Sequence, residues 1–398
     1  MRETLLPRFD PFAPIDQAHE GGALPDGPLA LGPSGYTVLT YDLATTVLRN
    51  TRFKNAALEL MEKFGITDGL AHEFRAESVI MAEGARHFRL RAPMARFMGP
   101  NTVHEIRGVV REIVEDIVTD LETSATVDFH TGIDQRIPAR IYCYLAGAPA
   151  TDEPLVASLS ERTLSLLQRD RALTPVIVNA YAELFAYLRA LIARKREQGL
   201  GDDMLSYLIG QQEEGKLSED ELLNEAAAML EASSVNTSHQ TGLVVWTLLR
   251  DRATWRRLVD DPELIPAAVV EAIRLYPRPG IVSKVATEDI EVNGTIIPEG
   301  SDVHVAVWSA NRDGRRFDHP TEFRLDRESN APLTFSTGSH GCLGQSLARV
   351  EMEEVVRYLA MHHPDAVVVE DDTEIGQSGG RWLVKALTVN LNPRQGER

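Results

Sequence analysis

The stretch Phe335-Ser336-Thr337-Gly338-Ser339-His340-Gly341-Cys342-Leu343-Gly344-Gln345-Ser346-Leu347-Ala348-Arg349 constrains this chain more than any other. It sets one cysteine among glycines, just before a helix-forming run in which Leu347, Val350, Val355, Val356 and Leu359 interleave with Arg349, Glu351 and Glu353. A sulfur at a helix N-terminus meets backbone N–H groups and the positive end of the macrodipole, and both favour the thiolate. Glycines beside it let the backbone approach a flat partner closely. The plainer alternative is a buried structural cysteine next to a glycine-rich turn.

An anionic sulfur, donors that temper it and no bulk between backbone and macrocycle are what a cysteine-to-haem bond requires. The spacing Phe-x-x-Gly-x-His-x-Cys-x-Gly-x-x-Leu-Ala closely resembles the haem-binding signature of cytochrome P450. The resemblance implies a mainly α fold with small β-sheets, with haem b held between the long central helix and the helix after the Cys loop. Cys342 is then the axial ligand of the haem iron and His340 a contact to a haem propionate. It also implies a monooxygenase that inserts one oxygen atom from O2 into a small organic substrate, in secondary metabolism or catabolism. The electrons come from a ferredoxin and its reductase, ultimately from NAD(P)H.

Composition narrows the alternatives. The 398 residues contain no Gly/Ser/Pro-rich linker and no low-complexity segment, so a single domain over 1–398 is expected. A hydrophobic content of 43% with a net charge of −18 describes a soluble, acidic globular protein and argues against nucleic acid as a partner; a monomer is expected. Met1 to Arg8 lack the apolar stretch of a signal peptide or anchor, which points to the soluble bacterial branch of the family, in the cytoplasm, with no membrane. Cys143 lies in the apolar run Ile141-Tyr142-Cys143-Tyr144-Leu145, and two cysteines give no disulfide framework.

In chain order, a Pro-rich arm precedes a strand at Tyr36 to Thr40 and a helix from Leu43 to Arg49. Residues 54 to 84 show a helical patch at Leu58, Leu60, Met61 and Phe64, then no clear periodicity, and read as a loop-rich segment near the ligand. A helix from about Ala85 to Phe97 carries His87 and Arg91 four apart on one face. The resemblance gives this pair a grip on a haem propionate. Arg86, Arg89 and Arg96 read as a solvated face or as part of a docking surface for an acidic redox partner. From Ala139 to Leu208 the pattern is helical packing without chemistry.

Ser218-Glu219-Asp220-Glu221 is a capping box that opens the longest helix, expected to run to about Arg250. The polar cluster Ser233-Ser234-Val235-Asn236-Thr237-Ser238 stands at its middle, where hydroxyls can bond back to carbonyls one turn earlier and bend the helix. In the resembled family this hexad forms the oxygen pocket above the iron. Thr237 falls on the threonine that orients the activated oxygen, Ser234 replaces a glycine, and Asn236 replaces an acid. An amide can orient water but cannot cycle a proton at neutral pH. Glu231 is no substitute, because it lies about 160° from Ser233 and about 120° from Thr237 around the helix.

A helix from Ile265 to Leu275 carries Glu271 and Arg274, an i,i+3 pair that the family ties to the meander before the Cys loop. Strand-like segments follow at Ile281 to Val285 and Ile290 to Val292, then a turn at Asn293-Gly294 and Ile296-Ile297. Lys284 stands where the family usually has an arginine to the second propionate, and Arg312 has a structural role in the meander. Ala366 to Val369 and Leu387 to Leu391 read as closing strands.

The substrate wall is expected to include Ala232, Ser233, Ile281, Val282 and part of 58 to 84, and the serines with Asn236 suit a ligand that has hydrogen-bonding groups of its own. The missing acid leaves room for a peroxide-driven enzyme, or for oxidative coupling, desaturation or demethylation. From another class, a haem-binding sensor without turnover is the rival, and the intact Thr237 argues against it.

Overall fold

The structure, a computed structural model, describes residues 6–12, 27–121, 126–328 and 331–393, so Met1 to Leu5 lie outside the described residues. The chain divides into two compact units: Met1–Ala57 with Pro266–Cys342 and Ile375–Leu383, and Leu58–Ile265 with Leu343–Glu374 and Val384–Arg398.

The first unit is organised on a five-stranded sheet in the order Leu29–Gly32, Gly35–Val38, Asp302–Ala306, Ile281–Ala286, Phe53–Asn55. Tyr36 pairs in parallel with Val303, and the other neighbours are antiparallel. β-Branched and aromatic residues fill these strands, and one face closes on Leu29, Val38, Phe53, Val303 and Val305. The Tyr41–Arg49 helix buries Ala44, Val47 and Leu48, the i, i+3, i+4 stripe of an amphipathic helix. The expected hairpin is present as Ile290–Val292 and Thr295–Ile297, with Asn293 at φ 49 and Gly294 at φ 77, the two positive φ values of a type I′ turn.

The second unit is helical. The Gly69–Glu77, Arg136–Ala146, Glu153–Leu164, Thr174–Gln198, Met204–Glu213 and Glu219–Ser233 helices share a core that includes Phe74, Tyr142, Leu159, Tyr181, Leu184, Leu208 and Leu222. By length and composition the stretch 171–198 could cross a membrane, and its Ile177, Tyr181, Leu184, Leu188 and Leu191 are buried in this core. A small antiparallel sheet orders Thr126–Asp128, Thr388–Asn390 and Val367–Val368, so the closing strands are shorter than the expected segments. A further hairpin, Glu374–Ser378 and Arg381–Ala386, turns on Gly379 and Gly380 at φ 56 and 73 and was not expected from periodicity.

Two expectations are corrected. Residues 54 to 84 are not loop-rich: the helical patch at Leu58 to Phe64 is the Ala57–Lys63 helix, opened by Asn55 Oδ1 accepting from Ala57 N at 2.9 Å, and Gly69–Glu77 is a second helix in the stretch without clear periodicity. The helix after the capping box is not continuous to Arg250. It ends at Ser233 and resumes as Val235–Arg250, with Ser234 at φ −105 and ψ −61. Serine hydroxyls supply the cause, since Ser233 Oγ donates to Leu230 O at 2.8 Å and lies 3.2 Å from Ser234 Oγ.

Candidate active site

The Cys loop is tied down before its cysteine. A turn over Leu333–Phe335 leads to Ser336 at φ 59, and Gly338 follows at φ 80. A Cβ on Gly338 would stand 3.0 Å from Leu48 O and 3.1 Å from the Arg49 Cα, so the loop passes too close to the first helix for any side chain there. Arg49 Nε donates to Thr337 Oγ1 at 3.1 Å, and Cys342 N donates back to Phe335 O at 2.8 Å. The Cys342 side chain is exposed, between Gly341 and Gly344, one turn before the Gln345–His362 helix. Cys143 is the opposite case. It is buried, and burial with Asp152 and Glu153 pushes its thiol up to about 12.

Behind the loop lies a buried polar network. Arg274 is fully buried and donates in a fork to both Glu271 oxygens at 2.7 and 2.8 Å. It also donates to the carbonyls of Asn311 and Pro320 at 2.8 and 2.6 Å. Arg327 Nε reaches Glu271 from the other side at 2.8 Å. Burial raises the Glu271 carboxyl, and the hydrogen bonds of Arg274 and Arg327 outweigh it and hold the carboxyl below its ordinary value. Asn311 completes the link to the loop: its Oδ1 accepts from Leu333 N at 2.7 Å and its Nδ2 donates to Thr334 Oγ1 at 3.1 Å. Arg312 donates to Trp308 O at 3.1 Å and to Leu275 O.

The first unit holds His340, half-buried in the Cys loop, and Lys284, buried on the Ile281–Ala286 strand beside buried Ile281 and half-buried Val282. The second unit holds His87 and Arg91 on the Gly84–Phe97 helix, His87 buried and Arg91 half-buried. Arg86 and Arg89 on the same helix are engaged within the chain, Arg86 with Glu77 and Arg89 with Glu221 at 2.9 Å.

Around the helix break, Ala232 is exposed while Glu231 and Ser234 are buried. Asn236 and Thr237 are half-buried; the Asn236 Oδ1 is buried with no partner among the described residues, and the Thr237 carbonyl accepts Thr241 Oγ1 at 2.9 Å. Glu231 turns elsewhere: its carboxylate accepts Arg75 Nη2 at 2.5 Å and the Tyr181 hydroxyl, which also accepts from Arg75 at 2.8 Å. Sequence reading did not find Arg75, Tyr181, Asn311 or Thr334. Arg75 follows the core residues Ala71 and Phe74, but His72, Glu73 and Glu77 on the same helix hide that signal.

The donor set fits a haem held by sulfur. In the first unit the loop offers an exposed thiol flanked by glycines, with Lys284 and His340 as cationic-capable groups suited to carboxylates; in the second, His87 and Arg91 are of the same kind, and an unpartnered amide oxygen of Asn236 stands next in sequence to Thr237. Fold and loop together define a helical haem-thiolate protein.

A profile of the cytochrome P450 family matches residues 170–359. The luteothin monooxygenase of Streptomyces thioluteus is 32% identical over 359 residues, 89% of this chain and 87% of that protein. The nocardicin C N-oxygenase of Nocardia uniformis subsp. tsuyamanensis is 32% identical over 340 residues, 84% of each. Among solved structures, the P450 enzyme CxnD, for C–S bond formation in chuangxinmycin biosynthesis, matches with a TM-score of 0.83 and 25% identity over 99% of both chains. CalO2 matches in fold, with a TM-score of 0.86 at 23% identity over 92% of this chain and 94% of its own. The chain belongs to the cytochrome P450 family. It is a monooxygenase of the bacterial type, with relatives in bacterial secondary metabolism, and family members bind haem b through a cysteine thiolate.

Proposed function

We propose that this P450 oxidises a small organic molecule with hydrogen-bonding groups of its own, in bacterial secondary metabolism, using electrons from a ferredoxin-type donor. The exposed Cys342 thiol on a loop braced by Asn311 and Arg49 is the observation that carries the reading. We place the chain in the cytoplasm as a monomer with one P450 domain over 1–398.

Haem, when bound, would supply the activation of dioxygen, with the thiolate ligand as its electron donor. The chain's residues do the rest. Cys342 ligates the iron; His87, Arg91, Lys284 and His340 neutralise the propionates. Lys284 does so as a point charge rather than a bidentate fork. Thr237 orients the oxygen side with its hydroxyl, and the Asn236 amide holds a water there without itself giving up a proton. Ala232 and Ser233 with Ile281 and Val282 form part of the substrate wall, and Ser233, Ser234 and Asn236 give it polar groups.

The substituted acid supports a second reading, in which the oxidant is fed by peroxide or is used for coupling, desaturation or demethylation. The likeness to the C–S bond-forming CxnD adds to it. A screen for substrate-induced Soret shifts across steroids, terpenoids, polyketides, peptide-derived and small aromatic compounds identifies the ligand class. Turnover of a hit is then compared with ferredoxin and with peroxide. Product under reductant is expected; robust product under peroxide with none under reductant contradicts the ferredoxin route.

A further inference from the structure

Glu231 is held at three points, just where its helix stops. Its carboxylate takes Arg75 from the Gly69–Glu77 helix and Tyr181 from the Thr174–Gln198 helix. Its backbone carbonyl takes the Ser160 hydroxyl, from the Glu153–Leu164 helix, at 3.0 Å. Ser160, Arg75, Tyr181 and Glu231 are all buried. In an uninterrupted helix the carbonyl of residue 231 would accept from the N–H of residue 235. Here the helix ends at Ser233, and the next begins at Val235, with Ser238 N donating to Ser234 O at 2.8 Å.

A buried ion pair that only glued helices together would have no reason to meet its anchors at the break. The Ser160 hydroxyl gives the Glu231 carbonyl a partner that the ladder does not supply across Ser234, so the break leaves this buried acceptor satisfied. The carboxylate bonds fix the rotation of the same residue about the helix axis. Ser233 then closes on Leu230 O, and the break lies between the clamp and the two residues Asn236 and Thr237.

We infer that Ser160 and the Arg75–Glu231–Tyr181 cluster form a clamp that holds the helix open at Ser234 and so positions Asn236 and Thr237 for the oxygen side of the reaction. This rests on the reading of Ser233 to Ser238 as the oxygen-activation segment. Glu231 and Ser160 are positioning residues: neither exchanges a proton with the reacting atoms, and the clamp acts by geometry alone.

The test uses the haem-loaded protein and two readouts. Amide hydrogen exchange over residues 231–238 reports the break directly, and product formed per reductant consumed reports its use. Ser160→Ala takes the hydroxyl partner away, so that closing the ladder becomes the way to satisfy the buried Glu231 carbonyl. Exchange across 235–237 slows in this variant, and product per reductant falls by on the order of tenfold to a hundredfold. Ser160→Thr keeps the hydroxyl and restores both. Should Ser160→Ala fail to fold, Glu231→Gln, which still accepts from Arg75 and Tyr181, is compared with Glu231→Leu; only Leu changes exchange and coupling. Unchanged exchange in Ser160→Ala and Glu231→Leu overturns the clamp. Changed exchange with unchanged coupling overturns the positioning role and leaves the oxygen-segment reading to stand or fall on Asn236→Asp.

Discussion

Arg274 and Asn311 exchange hydrogen bonds in both directions: Arg274 Nη1 donates to the Asn311 carbonyl at 2.8 Å, and Asn311 Nδ2 donates to the Arg274 carbonyl at 3.2 Å. Through Asn311 Oδ1 and Leu333 N this pair carries the Ile265–Leu275 helix to the base of the Cys loop. The loop is therefore shaped by a buried polar network as well as by its own glycines.

Removing either member leaves buried groups without partners. Asn311→Ala strips Leu333 N and the Arg274 carbonyl of a bond each, while Thr334 Oγ1 keeps its bond to the Ile273 carbonyl, and costs about 3 kcal/mol, at roughly 1–3 kcal/mol for each unsatisfied group. Arg274→Lys keeps the charge but loses the fork onto Glu271 and costs about 3–5 kcal/mol. Urea unfolding of the holoprotein measures both, and a loss below 1 kcal/mol for Arg274→Lys contradicts the network's role.

Gly338→Ala strains the loop directly. A left-handed alanine costs about 1–2 kcal/mol before any clash, and its Cβ meets the Leu48 carbonyl and the Arg49 Cα at 3.0 and 3.1 Å. The expected result is reduced haem retention on purification, read from the ratio of Soret to protein absorbance. Full retention would show that the first helix yields to the loop.

Glu351 makes stability depend on pH. Burial lifts its carboxyl from the ordinary 4.5 to about 8, and Oε2 has no partner among the described residues. Between those values the folded state holds a proton that the unfolded chain has shed, so Glu351 lowers stability as pH rises through that window. Glu225 and Asp134, raised to about 8 and about 7, act in the same direction. Glu351→Gln is neutral at every pH, and its stability advantage over the native protein grows from pH 5 to pH 8. A constant difference across that range would place the native carboxyl near its ordinary value.

Asn236→Asp restores a carboxylate at the position of the missing acid. The expected outcome is faster oxygen activation with the reductant-fed enzyme, measured as product rate at saturating reductant. Unchanged rate and coupling would mean that protons already arrive by a route that does not need residue 236.

Local chemistry was legible in the sequence and long-range partnership was not. The Cys loop, the capping box at Ser218 and the Asn293-Gly294 turn announce themselves because their residues act on neighbours at fixed offsets. Gly69–Glu77 escaped, since a helix of 9 residues depends on packing, here of Ala71 and Phe74, more than on its own periodicity. Angular reasoning turned Glu231 away from Ser233 and Thr237, yet its partners Arg75 and Tyr181 lie 156 and 50 positions away, where no pattern in one sequence reaches. The break at Ser234 was half legible: serines bend helices, but Ser160, which takes the carbonyl, is 71 residues upstream.

The most direct test of the account is the spectrum of the ferrous protein with carbon monoxide, in the native chain and in Cys342→Ser and Cys143→Ser. Cys143 is buried with its thiol pushed up to about 12, whereas Cys342 is exposed at the end of the braced loop. Native protein and Cys143→Ser should both show the red-shifted Soret band of a thiolate-ligated carbonyl complex, and Cys342→Ser should lose it. Retention of that band in Cys342→Ser, or its loss in a folded Cys143→Ser, would contradict Cys342 as the iron ligand.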